Sequence, residues 1–195
     1  MSTSNIQDKI VFQYIKILME DGNDFSLKTI SKKAKVKLDD ATLLFPFDEE
    51  INKLNYMKIF LKILDQNVLN LFFKEIKNEN ITFYEKLLEG IILRFEELLK
   101  YKKAIKKISI NTNNKILNLN LLFFDNHIFM IKLLKLSGDK DRFIKLNLKA
   151  IMLNSLFLKI LFNFLNEENN DMDSLIRNID NDLKILFDFK ILFNN

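Results

Sequence analysis

Apolar residues recur three and four positions apart along nearly the whole chain, and no alternating, strand-like pattern persists. Ile6, Ile10, Tyr14, Ile17 and Leu18 mark one face of a first helix, from Ile6 to about Met19, with Gly22 as its stop. Ser26 caps a short helix whose Leu27, Ile30 and Ala34 face inward, and a turn at Lys35 and Val36 leads to another from about Leu38 to Leu44. After Phe45, Pro46 and Phe47 a long helix extends from Asp48 to about Phe73, its stripe passing through Leu54, Met57, Leu61, Leu64 and Val68. Thr82 to Glu85 reads T-F-Y-E, a capping-box signature, and opens a helix carrying Leu87, Ile91, Phe95 and Leu98 to about Lys100. Tyr101 to Lys107 continues it as a basic amphipathic segment.

Two far greasier helices follow, Lys115 to Leu136 and Phe143 to Leu165, separated by a Gly138-Asp139 break. In the second, the polar positions leave most of the circumference apolar, which suits a helix buried on several sides. Lys149, Asn154, Lys159 and Asn163 interrupt it too often for a membrane span, which needs roughly 20 predominantly apolar residues. A polar loop from Asn166 to Asp171 precedes a last amphipathic helix with Leu175, Ile176, Ile179, Leu183 and Leu186. Phe187, Phe189, Ile191, Leu192 and Phe193 make the tail too apolar to hang free in water, so it either folds back or touches a partner or membrane.

Composition sharpens this all-α reading. With 195 residues, 48% hydrophobic, one proline and three glycines, the chain can bury a real core and has few turns. Its net charge of +4 permits an anionic partner without demanding one. There is no cysteine and a single histidine, His127, with no glutamate three residues before it, so thiolate chemistry and a di-iron bundle are excluded. Gly22, Gly90 and Gly138 are too far apart for a phosphate-cradling loop. His127 lies in an apolar helical run, where a hydrogen-bonded polar residue at a core edge is expected rather than a base. No catalytic residue, metal ligand or cofactor site is expected, and the protein is read as a non-enzyme. The N-terminal residues show no presequence, which places the expected location in a bacterial cytoplasm.

The three short N-terminal helices, with I-S-K-K-A-K-V from Ile30 to Val36, resemble the helix-turn-helix of TetR-type repressors. Such a repressor carries glycine at the turn, where this chain has Lys35. It has Gly-Thr-x-Tyr opening the recognition helix, where Asp39, Asp40, Ala41 and Thr42 stand, and a lysine soon after, where Asp48 stands. Two carboxylates in that first turn repel phosphates. Lys28, Lys32, Lys33, Lys35 and Lys37 form either a solvated face or a basic patch.

From Ser137 to Leu183 the chain resembles the lipid-binding accessory family of ubiquinone biosynthesis, coenzyme Q protein nine. The likeness is carried by Gly138-Asp139, Lys149, Leu153, the F-L-N of Phe164 to Asn166, and Arg177 with Ile179-Asp180-Asn181; Leu44-Phe45-Pro46 also fits. The resemblance implies a TetR-like helical fold without DNA reading: an HTH-like bundle over residues 1–47 and a lipid-binding, dimerising body over 48–195. It implies a carrier presenting polyprenyl quinone intermediates to the di-iron demethoxyubiquinone hydroxylase, peripheral to the inner membrane and homodimeric. Phe123, Ile131, Phe157, Leu161 and Phe164 are the candidate lipid contacts; Asp139, Leu146, Asn147 and Lys149 are the candidate hydroxylase contacts. The family's aromatic pair is replaced here by Leu146 and Asn147, and its arginine by Ala150. The alternative is a TetR-type transcription regulator whose apolar body receives an effector.

Overall fold

A computed structural model of the chain describes the backbone of residues 3–20, 25–111, 115–167, 171–188 and 193, with side chains at 5–20, 25–108, 125–167, 171–188 and 193. Among these residues all regular structure is helical: α1 (Thr3–Met19), α2 (Leu27–Lys33), α3 (Leu38–Leu44), α4 (Glu49–Glu75), α5 (Phe83–Leu99), α6 (Lys102–Asn111), α7 (Lys115–Ser137), α8 (Phe143–Asn166) and α9 (Met172–Asp188).

The helix ends follow local chemistry. Ser26 accepts a hydrogen bond from the Thr29 amide at the start of α2, and Thr82 and Glu85 form a reciprocal capping box on α5. The Asp171 carboxylate accepts from the amides of Asp173 and Ser174 and starts α9. α7 ends where Gly138 takes φ +104°, a conformation open to glycine, so that the Asp139 amide can return to the Leu134 carbonyl at 3.0 Å. Lys35 is the other left-handed residue, at φ 56°, and the Val36 amide returns to the Ser31 carbonyl at 2.9 Å.

The chain divides into two compact units, residues 1–64 with 101–118, and residues 65–100 with 119–195. The division does not follow the 47/48 boundary expected from the sequence: the start of α4 belongs with α1 to α3, and α6 lays Ala104, Ile105 and Ile108 into the same core. In this first unit Tyr14, Phe45 and Tyr56 form a buried aromatic cluster, with ring centroids 4.9 Å (Tyr14–Tyr56) and 4.6 Å (Phe45–Tyr56) apart. The Asn52 amide donates to the carbonyls of Phe45 and Phe47 and so fixes the Leu44-Phe45-Pro46 corner.

The second unit is organised around α8, which packs on α9, while α5 packs on α9. Leu153, Phe157, Ile160 and Phe164 are buried along α8, and Phe157 and Phe164 pack on Phe95 of α5. Gly90 lets α5 and α7 approach: a Cβ there would lie 2.3 Å from Leu133 Cδ1. Among the described residues α8 alone has the length and hydropathy of a membrane-crossing helix, yet half of its most apolar window is buried within the protein. It is a core helix with an exposed flank. The apolar tail also folds back in part, since Phe187 and Phe193 stack at 4.9 Å and Phe193 is buried; Phe189, Ile191 and Leu192 lie outside the described residues.

Candidate functional site

α3, whose sequence was set against a repressor's recognition helix, turns carboxylates and an apolar side chain outward. Asp39, Asp40, Thr42 and Leu43 are exposed, Leu43 at 82%, and the Thr42 hydroxyl is spent on the Leu38 carbonyl at 2.9 Å. The lysines of the preceding helix and turn are exposed too. Lys33 and Lys35 join Lys9, Lys16, Asp8 and Phe12 of α1 around an open cleft of about 700 Å³. Positive charge is therefore present in this unit, but beside α3 rather than on it.

The candidate hydroxylase contacts come together at the α7–α8 turn, mostly as interior groups. The Lys149 ammonium is completely buried and meets Asp139 Oδ2 at 2.6 Å and Asp141 Oδ2 at 2.7 Å. The Asp141 amide donates to Asp139 Oδ1 at 2.7 Å, and Lys135 Nζ donates to the Asp141 carbonyl at 2.8 Å. Burial pushes the Lys149 pKa down, but hydrogen bonds to Asp139 and Asp141 outweigh that and hold it above the usual lysine value. The hydrogen bond from Lys149 in turn holds Asp141 below the usual carboxylate range. Leu146 faces the core, and half-exposed Asn147 donates to the Phe143 carbonyl and shares a 3.0 Å hydrogen bond with His127 Nε2. His127 is thus the edge residue its context implied. Asp139, Leu146 and Lys149 hold the turn together rather than offering a surface.

The candidate lipid contacts on α8 are interior side chains. Phe157 is buried against Phe95 at 4.7 Å, Phe164 is buried edge-on to the same ring at 5.6 Å, and Leu161 is buried beside them. Ile131 is half-buried on α7, and the Phe123 side chain lies outside the described residues. Phe157 and Leu161 fill core space; Phe164 borders a polar groove of about 300 Å³ with Asn163, Asn178 and Asn181.

Phe157 has a second partner that sequence reasoning missed. The Arg94 guanidinium sits 4.4 Å from its ring and 4.0 Å from that of Phe129. Arg94 donates from Nε and Nη2 to the two Asp65 oxygens at 2.8 and 2.9 Å, and to Asn126 Oδ1 at 2.7 Å. Burial pushes Asp65 up and Arg94 down, and their pairing opposes both shifts. Arg94 Nη1 and Asn126 Nδ2 are buried without a protein acceptor among the described residues. The only trace in the sequence is positional: Arg94 falls on the stripe of Leu87, Ile91 and Leu98, while Asp65 falls on that of Leu61, Val68 and Phe72.

An apolar opening lies elsewhere on α8. Ile151, Met152 and Leu156 face Ile185 and Leu186 of α9 across an open groove of about 400 Å³, edged by Ser155 and by the Lys159–Asp182 ion pair at 2.8 Å. Leu148, Ile151, Phe162 and Ile185 leave this flank exposed and greasy.

No family model and no curated protein matches the chain. Among solved structures, it is similar to the TetR transcriptional regulator from Nitrosomonas europaea, with a TM-score of 0.72 over 93% of this chain and 97% of that one, at 12% identity. The class is therefore settled at the level of fold: this is an all-α, TetR-like helical protein.

Proposed function

We propose that the chain is a non-enzymatic carrier of an apolar, isoprenoid-type ligand on a TetR-like scaffold, serving as an accessory protein of ubiquinone biosynthesis. The observation that carries the reading away from a repressor is the surface of α3. Asp39, Asp40 and Leu43 occupy the outward positions that a groove-reading helix would fill with donors for bases and phosphates. The pathway assignment rests on the sequence likeness, and its residues form the specific polar contacts of the body: Asp139 with Lys149, and Asp180 with the Tyr84 hydroxyl at 2.5 Å.

The ligand seat we favour is the α8–α9 groove of Ile151, Met152, Leu156, Ile185 and Leu186, whose volume is in the range of small-molecule sites. Phe157, Leu161 and Phe164 would support it from beneath. Transfer to the hydroxylase would be physical, the tail leaving one apolar surface for another, with each Å² of apolar area kept from water worth about 25 cal/mol.

The second reading, an operator-binding regulator, is favoured by the intact turn between α2 and α3 and by the lysine-lined cleft beside it. One preparation tests both. Organic extracts of natively purified protein should yield a polyprenyl or quinone lipid that is lost in Ile151→Glu with Ile185→Glu, both at exposed positions. Duplex selection from a random pool at low salt should yield no enriched sequence. An empty protein that enriches a palindrome would establish the regulator instead.

A further inference from the structure

α8 begins with a feature that neither core packing nor the groove uses. Phe143 and Ile144 are 80% and 75% exposed, the only consecutive large apolar residues so exposed among the described residues. Exposed Lys140, Arg142 and Lys145 flank them. The two carboxylates of the segment, Asp139 and Asp141, are drawn inward onto Lys149, at 2.6 and 2.7 Å. Lys145 reaches Asp141 only at 3.8 Å, while Lys140 and Arg142 have no carboxylate partner among the described residues. The outward surface is therefore cationic and apolar together.

The segment is also held in shape. Lys135 ties down the carbonyls of Asp139 and Asp141, Asp139 accepts from the Asp141 amide, and Gly138 supplies the left-handed turn. Presenting Phe143 and Ile144 to a partner thus needs no ordering step, and the associated entropy cost is avoided. A protein partner would have to match a two-residue apolar knob ringed by three cations. An anionic bilayer does so without specific complementarity, since its acyl boundary takes large apolar side chains and its headgroups take the cations.

We infer that the α7–α8 turn is a bilayer-docking wedge, with Phe143 and Ile144 entering the acyl boundary of an anionic membrane and Lys140, Arg142 and Lys145 engaging its headgroups. The inference deepens the carrier reading and rests on it: an apolar cargo must leave and re-enter a bilayer. Ile151 of the groove lies on the same helix about two turns further on, roughly 10 Å from the wedge.

The chain contains no tryptophan, so Phe143→Trp introduces a single fluorescent reporter. With vesicles of phosphatidylcholine and phosphatidylglycerol its emission should shift to the blue and be quenched by acyl-brominated lipid. Added salt should weaken the effect, and pure phosphatidylcholine should give far less, each headgroup-bound cation contributing about fivefold. In co-flotation, Phe143→Glu with Ile144→Glu should bind anionic vesicles at least about tenfold more weakly. Its thermal melt should be unchanged, as expected at exposed positions. A reporter indifferent to anionic vesicles, or a double variant that floats like the parent, would overturn the wedge. So would a double variant whose oligomeric state changes without vesicles, which would mark the pair as a contact between copies. Extracted lipid from the same preparations separates the two claims. Lipid without vesicle binding overturns the wedge alone; vesicle binding by an empty protein upholds the wedge and removes the cargo.

Discussion

At the scale of single residues, Lys149 is the most demanding position in the second unit. A fully buried ammonium is tolerated because two carboxylates neutralise it, and removing one member of such a cluster strands the others. Lys149→Met is expected to lower stability by about 3–5 kcal/mol, read from urea unfolding near neutral pH. The pH dependence has two flanks. The Lys149 pKa is raised in the folded state, so its contribution is complete below the unfolded value of about 10.4 and is lost as pH rises through the higher folded value. The Asp141 pKa is lowered, so its contribution is present above about 3.9 and is lost as pH falls through the lower folded value. The parent should therefore show a plateau between these limits that falls at both ends, and Lys149→Met should flatten both falls. Sequence placed Asp139 and Lys149 in one motif but read them as contacts for another protein. Spacing alone does not say whether a charged pair ten residues apart across a turn points outward or closes on itself.

At the scale of elements, most helices were legible because they have a period and, in several cases, an end signal, while α6, read as a continuation of α5, is a separate helix. Ser26, Thr82, Gly138 and Asp171 all cap where their chemistry predicts. The contents of the apolar faces were not so legible. Arg94 and Asp65 interrupt two stripes that otherwise read as ordinary core, and only pairing across α4 and α5 shows that they cancel. The partition of aromatic residues between core and surface also escaped the sequence, because Phe157 in a packed stack and Phe162 on an exposed flank share the same helix and side chain. The element that distinguishes the functional readings is α3. Its first turn presents two exposed carboxylates, Asp39 and Asp40, which repel phosphates. Asp39→Lys with Asp40→Lys removes two negative and adds two positive charges at that surface. This variant should bind random duplex DNA at low salt more tightly than the parent, with a log–log salt slope steeper by about 2–4. Parent protein that already binds with such a slope would return the regulator to first place.

At the scale of the whole molecule, one apolar flank is asked to serve two occupants. Leu148, Ile151, Phe162 and Ile185 form the surface on which the last two helices would pair in the homodimer expected from sequence, and Ile151 and Ile185 also line the groove proposed for the lipid tail. The same area cannot be covered by both at once, so loading and self-association through this flank are linked with opposite sign. Delipidated protein should sediment with a larger dimer fraction than protein as purified, and titration with a single-chain isoprenoid alcohol should shift it back towards monomer. Ile185→Glu should suppress both, because a carboxylate at the centre of the flank disfavours an apolar tail and a second copy alike. If instead the dimer persists at full lipid occupancy, copies pair through another surface, and the α8–α9 flank belongs to the ligand alone.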